Sequence, residues 1–303
     1  METFKPAKEI EFIDLRLNYA FHFVFGNRTN EDLLLSLVQS ILPEKSIRTV
    51  HLINESQAGL RPGSRGAVYD INAETDTGET LNIEMQYRGQ DDFTDRMLFY
   101  SAFPLLNSLR KGDDTYAITP VCAIGITNFE IKTVKHNDDV INHYAILNEK
   151  DLEDRFTNGV EFVTVELPKF RKGLDELDGA LDEWLYTFNQ MGAMTDMPER
   201  FAGSDLEKLY GIAKFAAMDE LIQREYIREL MGEVDERSRL RTARNEGKAE
   251  GKAEGLAEGL AEGHAEGLAE GKLATAKNLK ALGVDVSIIC QATGLTAEEV
   301  AAL

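Results

Sequence analysis

Two β-type runs, Ala67 to Thr75 and Thr80 to Arg88, are separated only by Asp76, Thr77, Gly78 and Glu79, a signature that commits the chain to an antiparallel strand pair. Aspartate and glycine accept the backbone angles of a tight reversal, so such a linker between alternating runs predicts a hairpin. Pairing about Thr77 brings Asp70 opposite Glu84. Strand alternation puts Asn72 on the face of Asp70, and Asn82 and Gln86 on that of Glu84. Tyr69, Ile71, Ile83, Met85 and Tyr87 point the other way and are available for burial. Directly opposed carboxylates repel unless a cation lies between them. The arrangement therefore points to a divalent site of oxygen ligands, with Mg²⁺ or Mn²⁺ the natural occupants. The other reading of the same alternation is a hairpin with a solvated polar face.

Apolar residues at helical spacing, Leu33, Leu34, Leu37, Val38 and Ile41, predict a first helix over 31–42, stopped by Pro43. A strand over 48–54 follows, then a Gly and Pro cluster from Gly59 to Gly66. After the hairpin, residues 93–109 read as a helix in which Pro104 introduces a kink, and 119–127 as a buried central strand. The predicted order is αβββαβ. A polar stretch over 137–154 precedes a further strand at 160–167, and residues 174–241 are helical in pattern, expected to pack beside the sheet and cover an edge.

This order, with Asp on the second strand and Glu-x-Gln on the third, resembles the restriction-endonuclease-like PD-(D/E)XK core, an α/β fold. More closely, the chain is similar to the Rpn family of recombination-promoting nucleases, also described as transposases. The pieces that carry the resemblance are Asn18 to Gly26, Tyr69-Asp70-Ile71, Ile83-Glu84-Met85-Gln86, Arg96 with Tyr100, and Glu166 to Phe170. The resemblance implies that Asp70 is the metal-binding aspartate, Glu84 the second acid, and Gln86 the residue at the position many relatives fill with lysine. A glutamine there can hydrogen-bond a water but brings no charge. Tyr69 stands where the motif has proline, and Asn18 and His22 where Asp and Lys are usual. It further implies DNA as partner and an acid from the first helix, Glu31 or Asp32, whose other reading is a solvated surface role; Arg96, with Tyr100 four residues on along the same helix face, suits either a bidentate phosphate contact or structural packing over Tyr100.

The formal net charge of −20 opposes broad electrostatic capture of nucleic acid, although a bound divalent ion can carry the positive charge at a phosphate. It keeps a second expectation open: a nuclease fold used as an interaction or self-assembly module, forming homo-oligomers. Two cysteines build neither a disulfide framework nor a zinc site, and no apolar run reaches membrane-spanning length, so a cytoplasmic protein is expected. Residues 247–271 repeat Gly-x-Ala-Glu, which reads as a spacer, a frayed helix or a coil. The expected organisation is a core over 1–170, a helical extension over 171–245, the repeat spacer over 246–272 and a small helical segment over 273–303.

Overall fold

The computed structural model of the chain describes residues 9–53, 70–109, 112 and 114–303. The expected Gly and Pro cluster from Gly59 to Gly66, and Tyr69, lie outside the described residues. The chain divides into two compact units, Met1–Gly232 and Glu233–Leu303. The first is built on α1 (Asn18–Phe25), α2 (Glu31–Ile41), β1 (Val50–Leu52), β2 (Ile71–Thr75), β3 (Thr80–Gln86), α3 (Phe93–Asn107) and β4 (Val121–Thr127). It continues through β5 (Ile141–Ala145), β6 (Leu147–Asn148), β7 (Asp151–Arg155), β8 (Val160–Glu166), α4 (Gly179–Gln190) and α5 (Asp205–Ala213) to the start of α6 (Glu220–Ala281).

Six strands form one mixed sheet in the order β1-β2-β3-β4-β8-β5. The hairpin has the register read from its turn, with Ile71 opposite Ile83 and Asn72 opposite Asn82. Gly78 at φ 78° supplies the left-handed residue of the reversal. The strands β3, β4 and β8 run parallel, and β5 closes the sheet antiparallel to β8.

The two faces of the sheet are covered differently. Ile83, Met85, Ile124, Ile126, Val163 and Val165 face the main core, which they share with α1, α2, α4 and α5 and where α1 meets α4 through Phe21, Phe25, Trp184 and Phe188. The helices after β8 stack on α1 and α2 and share one core with the sheet. On the opposite face lies α3, packing Phe93 and Met97 against Ala123.

That close approach requires Gly125. A Cβ there would stand 2.6 Å from Phe93 Cζ and 2.9 Å from Met97 Sδ. Gly125→Val is expected to lift α3 and cost about 1–3 kcal/mol by overpacking, read as a lowered urea midpoint at unchanged slope.

Two features of this unit escaped periodicity. The helix α1 was legible only as part of a family motif, since its Phe-rich run lacks a polar stripe. The polar stretch over 137–154 holds β5, β6 and β7, whose residues are mostly exposed and gain strand structure by pairing, β5 with β8 and β6 with β7. Pro104 sits inside the last turns of α3 without ending it.

In the second unit the repeat residues 247–271 lie within the continuous helix α6. After α6 come α7 (Val286–Thr293) and α8 (Ala297–Ala302), which close a small core of Ala276, Ile289 and Val300. Thr296 and Glu299 cap α8 reciprocally, as their spacing implied, and Lys280 Nζ donates to the carbonyls of Val300 and Ala301 at its other end.

Candidate active site

Asp70 immediately precedes the Ile71–Ile83 pair and so comes beside Glu84. Its Oδ2 accepts a hydrogen bond from Met85 N at 2.9 Å, which holds the carboxylate against β3. Glu84 is buried, and its cross-strand neighbour on β4 is Gly125, the residue over which α3 rests. That contact sets Arg96 above the pair, with Nη2 3.4 Å from Glu84 Oε2. Arg96 is itself held by Nη1 donating to Gln90 Oε1 at 2.9 Å and by the Phe93 ring 5.5 Å beneath its guanidinium.

Burial dominates the electrostatics. It pushes the Glu84 carboxyl from 4.5 up to about 7, Arg96 opposing and the charge of Asp70 adding. Asp70 is raised in the same way, against the Met85 N–H, Arg96 and His22. A single nearby guanidinium therefore does not balance the two desolvated carboxylates, of which Glu84 is buried and Asp70 half-buried, and Glu84 Oε1 has no hydrogen-bond partner. The face is not a solvated one: Asn72, Asn82 and Glu84 are all buried.

The other expected residues are placed as follows. Gln86 is half-buried two residues beyond Glu84 at the end of β3, and Tyr100 is half-buried one turn beyond Arg96 on α3. Glu31 is bound to β1: its Oε1 accepts from Leu52 N at 2.8 Å and its Oε2 stands 3.1 Å from His51 Nδ1. Asp32 is an exposed partner of Lys208 on α5, at 2.6 and 2.7 Å. Neither acid of α2 has Asp70, Glu84 or Arg96 among its bonded partners. His22, exposed on α1, exerts its charge on Asp70; the sequence offered it only through the family motif. Thr164, level with Gly125 on β8 and buried on the same face, went unnoticed, since only the β4–β8 register puts it there. Among the described residues no group of three or more His, Cys, Asp or Glu side chains is arranged to hold a metal ion.

A mixed sheet with an acid at the head of one strand, Glu-x-Gln on the next and helices on both faces is consistent with a PD-(D/E)XK nuclease fold. The family model of the PD-(D/E)XK nuclease family transposases matches residues 15–243, and the chain belongs to that family. Nucleases of this kind act as hydrolases on nucleic acid and commonly use divalent metal ions. No curated protein and no solved structure matches the chain. Among the described residues no helix is long and apolar enough to cross a membrane.

Proposed function

We propose that the protein is a divalent-metal-dependent DNA endonuclease of the recombination-promoting, transposase type, hydrolysing phosphodiester bonds. The observation that carries this reading is the undercompensated pair of half-buried Asp70, at the head of β2, and buried Glu84 on β3. Two carboxylates that lack a full counter-charge suit a hard cation with oxygen ligands, Mg²⁺ or Mn²⁺. When bound, such an ion stabilises charge developing on the phosphate and makes water a better nucleophile. In this reading Asp70 and Glu84 hold the ion, and Gln86 orients the attacking water through its carboxamide. Arg96 opposes the rise of the Glu84 carboxyl and adds fixed positive charge beside the phosphate.

The net charge of −20 and the uncharged Gln86 favour a second reading, a nuclease fold serving as an interaction module. Plasmid nicking by the purified full chain separates the two, run with Mg²⁺, Mn²⁺ or EDTA beside folded Asp70→Ala and Glu84→Ala. The endonuclease reading expects cleavage with either ion, none in EDTA, and a loss of about two orders of magnitude or more in both variants. Equal cleavage by the variants, or none by any protein, leaves the interaction module in front.

A further inference from the structure

Next to the carboxylates, the same sheet face carries a second facing pair, Asn72 on β2 and Asn82 on β3, joined in register. They are 9% and 3% exposed. Opposed carboxamides can satisfy one another, the Oδ1 of one accepting from the Nδ2 of the other. These do not: Asn82 Oδ1 and Nδ2 and Asn72 Oδ1 all lack hydrogen-bond partners, as does Glu84 Oε1. Because both ends of the Asn82 amide are unpartnered, the observation is independent of which end is oxygen. Burying such groups costs free energy that leucine, of similar size, would avoid. The hairpin does not require them, since its register is held by backbone pairing and by Ile71, Ala73, Leu81 and Ile83 on the core face.

We propose that Asn72 and Asn82 extend the cation site, accepting hydrogen bonds from the water shell of a Mg²⁺ or Mn²⁺ ion held by Asp70 and Glu84. This rests on the endonuclease reading of those two carboxylates. Reach decides for the shell over direct ligation. Residues two apart on a strand stand roughly 7 Å from each other. Asparagine is one methylene shorter than glutamate, and a direct bond to Mg²⁺ spans only about 2.1 Å. Mg²⁺ keeps several of its waters, and these are O–H donors that need acceptors. Two carboxamide oxygens on neighbouring strands supply them, beside the unpartnered Glu84 Oε1. The asparagines are thus positioning residues, holding the ion through its waters. Groups in that role change metal affinity by about ten- to a hundred-fold.

The test is calorimetric titration of Mn²⁺ into the full chain, comparing wild type with Asn82→Leu, Asn82→Asp and Glu84→Gln, each also melted in EDTA. Asn82→Leu is expected to melt no lower than wild type without the ion, yet to bind Mn²⁺ about ten-fold more weakly or worse. Asn82→Asp keeps an acceptor oxygen and is expected to bind at least as tightly as wild type. Wild-type affinity in Asn82→Leu overturns the proposal, while loss of the ion in Glu84→Gln within the same series leaves the carboxylate reading standing. A wild type that takes up no Mn²⁺, or Glu84→Gln binding equally well, sinks both. Should Asn82→Leu not fold, Asn82→Ala adds no bulk and is judged by the same criteria.

Discussion

Glu84→Gln is expected to make the cation-free protein more stable at pH 8, by on the order of 3 kcal/mol, while removing the nuclease activity proposed for it. The sign follows from the direction of the shift. Burial raises the Glu84 carboxyl from 4.5 to about 7 in the folded chain. Between those values the folded state holds a proton that the unfolded state has released, so stability falls as pH rises, and above about 7 the whole penalty is present. Glutamine keeps the shape and never ionises. The gap between variant and wild type therefore shrinks to under about 1 kcal/mol at pH 5. Urea unfolding in EDTA at pH 5 and pH 8 measures it, and equal midpoints for the two proteins at pH 8 would refute the argument. Millimolar Mn²⁺ is expected to recover the lost stability of the wild type and to do little for the variant.

Asp14→Ala is expected to destabilise the first unit by about 3–5 kcal/mol, the effect of removing one member of a buried ion pair. Asp14 and Arg16 are both buried. The Arg16 fork donates to both carboxylate oxygens, Nε to Oδ1 at 2.9 Å and Nη2 to Oδ2 at 2.8 Å, while its backbone N donates to Oδ1 at 3.0 Å. Arg16 Nη1 reaches on to Asn128 Oδ1 at 3.3 Å. The pair locks a segment that is already sewn to the helical layer by Ile13 N donating to the Ala213 carbonyl and Asp14 N to the Tyr226 hydroxyl. The segment leads into α1, whose first amides, Asn18 N and Tyr19 N, donate to the Glu229 carboxylate. Asp14→Ala with Arg16→Met removes both charges together and is expected to recover much of the loss, because the guanidinium is no longer buried without the Asp14 carboxylate. Chemical denaturation of the single and double variants gives the coupling. A double variant as unstable as the summed single variants would show that the two side chains act independently.

The sequence by itself determined what depends on neighbours along the chain. The Asp-Thr-Gly-Glu turn and a period of two set the hairpin register, Pro43 and the apolar spacing bound α2, the run Val121 to Thr127 made a buried strand, and Thr296 with Glu299 started α8. That Asp70 comes beside Glu84 belongs to the same class, since it follows from counting out from the turn. Only the tertiary structure decided the rest. The strands β5 to β7 exist through pairing that their polar sequences do not announce, because a strand completed by backbone pairing to a partner needs no apolar alternation of its own. Arg96 meets Glu84 only because Gly125, 41 residues further along the chain, lets α3 down onto the sheet. Burial, and not the residue type, raises the Glu84 carboxyl to about 7 and leaves the Asn82 amide without a partner. Desolvation is a property of everything packed around a group, and no local stretch of sequence contains it.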